Sequence, residues 1–245
     1  MKAKILSLCI AVLVGVSAWA DDVWNHNVYE DCSKNGRIED IRPSGKENGH
    51  TWVNLGLPSG IKWASCNIGA EKPEEYGNYY AWGEVLPKED YSWATYKYAN
   101  GASDKLTKYC NQESYGDNGF TDNKTTLEPE DDAARVNWGG SWRMPTAAEW
   151  DELRDNCTWT WTTQNGINGY QVTSKTNSNS IFLPAAGYRG DTYLNYHVGR
   201  YGDYWYSSLY EGYPDHAWSL GFYSDDVAGY YDSRYNGRSV RPVCP

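Results

Sequence analysis

The sequence predicts an α+β fold, in which two helices are set apart from antiparallel strands joined by long loops. Three observations point that way. "RMPTAAEWDELRDNC" holds a T-x-x-E capping box at Thr146 and Glu149 and then places Trp150, Leu153 and Cys157 on one face, which reads as a helix. "LEPEDDAARVNWGG" reads as an earlier helix: Pro129 suits the first turn, Glu130, Asp131 and Asp132 complement the positive end of the dipole, and Gly139-Gly140 stops it. Beyond these no helical period survives. "GYQVTS", "SIFLPAAGYR", "YWYSSLY", "HAWSLGFYS" and "RSVRPV" are short runs separated by Gly, Asn and Asp, the pattern of a C-terminal antiparallel sheet.

Residues 1–20 are expected to be a secretory signal. Lys2 and Lys4 precede an apolar run from Ile5 to Val16, and Ala18-Trp19-Ala20 supplies a small-x-small cleavage pattern. The run is shorter than the roughly 20 residues of a membrane span, so no transmembrane segment is expected in the mature chain, which is placed in the secreted, periplasmic or cell-surface space. Residues 21–47 read as a polar leader rich in turn chemistry, and the domain is expected to run from 48 to 245. It opens with "HTWVNLGLPSGIKWASCNIG", where Pro58-Ser59-Gly60 turns the chain and Ile61, Trp63 and Ser65 alternate with Lys62 and Ala64 as a second hairpin strand. Glu89 to Lys124 reads as loop. Near the C-terminus, Trp218, Leu220 and Phe222 alternate with Ser219, Gly221 and Tyr223, predicting one core face and one exposed face.

A formal net charge of -10 and the lack of any Lys/Arg cluster exclude a phosphate-backbone partner, so no nucleic acid is expected. Past the signal the cysteines are Cys32, Cys66, Cys110, Cys157 and Cys244, an odd number; Cys32 and Cys244 are the best candidates for a bridge in an oxidising compartment.

The most unusual segment is "NYHVGRYGDYWYSS", residues 195–208, which sets four tyrosines and a tryptophan among Gly, Asn, Asp, His and Arg with almost no aliphatic residue. Twelve tyrosines fall between Tyr188 and Val240, and no lysine follows Lys175. Interface cores and antibody combining loops share this bias, because phenol rings offer rigid amphipathic contact area at low entropic cost. The expected ligand surface therefore comprises Tyr193, Asn195, Tyr196, His197, Arg200, Tyr201, Asp203, Tyr204, Tyr206, Tyr210, Tyr213, Tyr223, Asp225, Tyr230, Tyr231, Arg234, Tyr235 and Asn236. Its partner is expected to be a protein or glycan. Trp52, Trp63, Trp82, Trp142, Trp150, Trp205 and Trp218 are expected in the core.

"WVNLGLPSGIKWASCNIGA", "DNKTTLEPEDDAARVNWGGSWRMPT", "IFLPAAGYR" and the closing "GRSVRPV" resemble the Fibrobacter succinogenes major paralogous domain over roughly residues 48–243. "GGSWRMPTAAEWDEL" also resembles the R-L-P-T-E-A-E-W segment of the formylglycine-generating enzyme and sulfatase-modifying superfamily. The resemblance implies a C-type-lectin-like fold. A set of proteins with that fold is diversified by retroelements, which fill the exposed positions of the last third with Tyr, Asn, Asp, Ser and His, and the present C-terminal region is similar. That similarity implies a secreted or surface-displayed binding protein. Two other readings stay open, a modifying enzyme or carbohydrate-binding accessory, and a structural envelope component.

The chemistry that catalysis would need is thin. The superfamily's oxidases use two cysteines late in the domain, and here only Cys244 follows Cys157, so the chain is expected not to be an enzyme. The histidines past the signal, His26, His50, His197 and His216, lie in no G-x-S-x-G elbow. No cofactor is expected. Oxygen-rich "DNGFTDNKTTLEPEDD" makes Asp117, Asp122 and Glu128 the calcium candidates, although Glu128-Pro129-Glu130 departs from the Glu-Pro-Asn triplet of calcium lectins at its third residue, and helix capping accounts for the acids.

Overall fold

The computed structural model describes residues 43–245. The expected signal peptide and most of the leader, with Cys32 and His26, lie outside the described residues. Within them the chain is mostly antiparallel sheet with two α-helices, a composition compatible with the α+β or the mostly-β class. No helix among the described residues is long and apolar enough to cross a membrane.

The domain starts before residue 48. Strand β1 (Ser44–Glu47) pairs antiparallel with β2 (His50–Val53), which pairs with β3 (Lys62–Ala64), which pairs with the closing strand β12 (Val243–Cys244). The two ends of the described chain are thus laced into one four-stranded sheet. Trp142 adds a tie by donating its indole N–H to the Glu47 carbonyl at 2.7 Å. Being flanked on both sides, β3 is buried throughout, and Lys62 donates to the Pro245 carbonyl at 2.8 Å.

The capping-box helix is present as α2 (Ala147–Asn156). Thr146 Oγ1 accepts from the Glu149 amide at 3.3 Å, and the Glu149 carboxylate accepts from the Thr146 amide at 2.8 Å, which satisfies two N-terminal donors reciprocally. The expected earlier helix is divided. Pro129–Asp131 form a 3₁₀ turn and α1 (Ala133–Trp138) starts after Asp132. Of the acids expected to complement the dipole, Glu130 is exposed, whereas Asp131 and Asp132 turn inward and are buried. Asp132 caps α1 by accepting from the Ala134 and Arg135 amides and also takes the Met144 amide, all within 3.0 Å.

The remaining strands are β4 (Cys157–Gln164), β5 (Ile167–Ser174) and β6 (Ser180–Pro184) in one sheet, β7 (Tyr188–Gly190) with β8 (Tyr193–Tyr196), and β9 (Gly202–Leu209), β10 (His216–Phe222) and β11 (Val227–Ser233) in another. Strand β10 is central in that last sheet and both of its faces are covered. Tyr204, Tyr206, Leu220 and Phe222 point into one core cluster with Trp63, Trp150 and Tyr170, whereas Trp205, Leu209 and Ala217 point into the other with Trp82, Trp142 and Tyr109. The expected exposed face of residues 216–223 therefore does not exist inland of Tyr223. Ser219, on it, is fully buried because Arg238 lies against it.

Loops and strand ends leave carbonyls inside the fold, and arginine supplies donors to them. Arg234 donates to the carbonyls of Lys108, Tyr109 and Pro214, and Arg241 to those of Ala64, Ser65 and Phe182, at 2.8 to 3.1 Å. A guanidinium carries five N–H donors in a fixed fork, which an ammonium cannot match. Both side chains are fully buried.

Candidate ligand-binding surface

The expected surface residues divide by depth. Tyr204 and Tyr206 alternate with Trp205 on β9 and are buried, as is Asp203. Arg234 and Asn236 are buried too, the first among carbonyls as above, the second donating to Asp232 at 3.1 Å. None of these five faces solvent, which corrects the sequence expectation for them. For the two tyrosines the physical reason is that β9, covered on both faces, has room for twice the aromatic side chains that a half-solvated strand would hide, and a phenol fits there most readily once its hydroxyl is paired. Tyr204, for example, donates to the Pro184 carbonyl at 2.9 Å.

The others lie at the rim. Tyr196, His197, Arg200, Tyr213, Tyr223, Asp225, Tyr230 and Tyr231 are exposed, and Tyr201, Tyr210 and Tyr235 are half-buried. Tyr193 and Asn195 lie on β8, and their side chains are outside the description. Trp218, expected in the core, is half-buried.

The exposed rings form two groups on opposite faces of the β9–β10–β11 sheet. Alternation separates neighbours: Tyr230 pairs with Ser219 and shares its face, whereas Tyr231 pairs with Trp218. On the Trp218 face, Tyr210 stacks on Tyr231 with centroids 4.0 Å apart, flanked by Tyr213 and His216. On the Ser219 face a longer row runs across the β7–β8 hairpin. Tyr196 stacks on Tyr188 at 5.1 Å, Tyr188 meets Tyr201 edge-on at 6.4 Å, and Tyr201 leans on Tyr223 at 4.6 Å. Tyr230 completes the row, because a Cβ placed on Gly221 would lie 2.5 Å from the Tyr201 hydroxyl and 2.6 Å from the Tyr230 ring. Only glycine leaves space for both rings.

Beneath this row is a charge network, buried at Arg238 and Asp203 and partly exposed at Asp232, that the sequence did not disclose. Arg238 is fully buried and bonded to Asp203, Asp232 and Ser219, with its guanidinium 4.6 Å from the Trp205 ring and 5.7 Å from that of Tyr188. Burial lowers the Arg238 pKa and raises that of Asp232, opposing the charged form of each. Burial also pushes Tyr201 up to about 12, so it stays a neutral phenol at any physiological pH. At the outer end, Tyr230 donates to Asp226 at 2.7 Å, and that bond holds its phenol protonated. Tyr188, Asp226, Asp232 and Arg238 were missed as members of the site. Tyr188 was visible only as one tyrosine among twelve, and the "DSRYNGR" run gave no sign that Asp232 and Arg238 meet.

The calcium candidates are occupied by the protein's own donors. Asp117 accepts from Asn100 and Asn118, Asp122 from the Tyr109, Cys110 and Lys124 amides, and Glu128 pairs with Lys108 and Lys124. Among the described residues no group of three or more His, Cys, Asp or Glu is placed to hold a metal ion. Cys66, Cys110, Cys157 and Cys244 are buried free thiols. Burial pushes Cys157 up to about 11 and Cys244 up to about 12, far from a reactive thiolate. The expected partner of Cys244, Cys32, lies outside the described residues.

No family model, no curated protein and no solved structure matches the chain.

Proposed function

We propose that the chain is a non-catalytic binding protein, secreted or displayed at the cell surface on a C-type-lectin-like scaffold. Its ligand surface is the row Tyr196, Tyr188, Tyr201, Tyr223 and Tyr230, with Arg200, Asp225 and Asp226 at the margin. The observation that carries this reading is that the row stays open to solvent, with Tyr196, Tyr223 and Tyr230 36, 43 and 40% exposed, although its rings already contact one another over the buried Arg238. Contiguous exposed aromatic area marks a partner. Rings held in place before binding lose little entropy when a partner covers them. A broad row edged by charges of both signs suits a folded protein ligand. The high pKa values of Cys157 and Cys244 support binding over thiol chemistry.

The test is capture of proteins from bacterial surface extracts, in parallel with a glycan array, comparing the wild-type chain with a Tyr223→Ala/Tyr230→Ala variant. The variant is expected to weaken the captured interaction by about 2 kcal/mol or more, roughly thirtyfold in Kd, while melting within a few degrees of the wild type. Equal capture by both proteins, or no bound protein or glycan at all, would count against the reading.

A further inference from the structure

The opposite face of the same sheet carries a second site. A groove of about 250 Å³ opens between α2 and the sheet, lined by Ala147, Asp151, Arg154, Tyr206, Trp218 and Gly229. It holds an unpartnered polar group: the Tyr206 side chain is 2% exposed, and its hydroxyl has no hydrogen-bond partner among the described residues. That hydroxyl points toward the groove, since a Cβ on Gly229 would lie 3.4 Å from it and 4.0 Å from the Trp218 ring. The bare backbone at Gly229 is what keeps the space open. The ring itself is fixed, stacked on Trp150 of α2 with centroids 5.9 Å apart.

We propose that this groove is a subsite for a single neutral pyranoside ring. Three features select that chemistry. Asp151 and Arg154 form an ion pair at 2.9 Å on one turn of α2, so the groove offers a carboxylate acceptor and guanidinium donors side by side with no net charge. That pairing disfavours a phosphate or an ammonium ligand and suits a ring bearing neighbouring hydroxyls, each both donor and acceptor. Trp218, edge-on to Tyr210 at 5.0 Å and beside Tyr231, supplies an apolar wall for the C–H face of a sugar. The buried Tyr206 hydroxyl then gains the partner that the fold withholds, which a hydrocarbon could not provide. The volume is below that of sites for drug-sized ligands and suits one ring. This site is separate from the tyrosine row proposed above and does not depend on it.

The probes are the methyl α- and β-pyranosides of glucose, galactose, mannose and N-acetylglucosamine, followed by saturation-transfer NMR and calorimetry on the full mature chain. At least one is expected to bind saturably. Tyr206→Phe, which keeps the ring stack and deletes the hydroxyl, is expected to weaken that binding about fivefold to tenfold while melting no lower than the wild type. Gly229→Ala, which puts a methyl into the groove at ordinary contact distances, is expected to weaken it tenfold or more. Three results would overturn the proposal. One is that no glycoside saturates. Another is binding unchanged in both groove variants but lost in Tyr223→Ala/Tyr230→Ala, which would move the sugar to the tyrosine row. The third is a Tyr206→Phe protein that melts several degrees lower, which would show that the hydroxyl is already paired within the fold.

Discussion

Among the described residues Asp131 is the most heavily engaged buried carboxylate, and replacing it by Asn tests how the loop-rich half is held. Only 2% of its side chain is exposed. It accepts from the Tyr98 hydroxyl, from Tyr109 at 2.7 Å, from Lys108 at 2.5 Å and from Lys97 at 3.3 Å. Burial acts to raise its pKa, and the hydrogen bonds from Lys108, Tyr98, Tyr109 and Lys97 more than offset this, leaving it at about 2 instead of 3.8. At 1.36 kcal/mol per pH unit the difference corresponds to about 2.5 kcal/mol. Lys97 is 52% exposed, so solvent screening reduces that to about 1–2 kcal/mol. Because the folded pKa lies below the unfolded one, this stabilisation is fully present above about pH 4 and is lost as the pH falls toward 2. Asp131→Asn removes the charge, keeps the shape and leaves Lys108 with Glu128, at 2.6 Å, as its one close carboxylate. The expected cost at pH 7 is about 2 kcal/mol, a drop in Tm of about 4–8 °C for a domain of this size. Urea denaturation of both proteins at pH 7, 5, 4, 3 and 2.5 should show the gap between them closing only below pH 4. A gap below about 0.5 kcal/mol at pH 7, or one that does not change with pH, would refute the account.

Tyr204→Ala is expected to destabilise by about 3–5 kcal/mol, read by chemical denaturation, because it opens a cavity between Trp150 and Phe222; a cost under 1 kcal/mol would place the ring outside the core. Thr146→Ala removes one half of the capping box and should cost about 1 kcal/mol by the same assay, with amide exchange accelerated in the first turn of α2 and unchanged in β9. Protection that stays uniform across α2 would show that the cap carries no weight.

The helices were legible in the sequence because their signals are local. The Thr146–Glu149 box needs only a spacing of three, and α2 stands where that spacing put it. The strand runs after residue 157 were legible for the same reason, since alternation and turn residues act over a few neighbours. Even there the acids of "EPEDD" misled: Asp131 and Asp132 look like dipole partners in sequence and are an internal hub and an α1 cap in the fold.

For the candidate site, the sequence by itself determined that too many tyrosines stood near the C-terminus for one solvated sheet to bury. That followed from composition alone and needed no partner residues. Only the tertiary structure decided which tyrosines those were. Tyr204 and Tyr206 carry the same phenol chemistry as Tyr201, yet they are buried because helix α2 and the β4–β6 sheet cover one face of β9 while the loop-bearing core covers the other. Whether a ring meets water depends on what packs opposite it, for Tyr204 residues 20 to 137 positions away, and that contact leaves no periodic trace in the strand. The buried Arg238 network and the space at Gly229 are of the same kind. Each joins residues from different strands or loops, and even Asp232 and Arg238, six residues apart, carry no periodic sign that they meet.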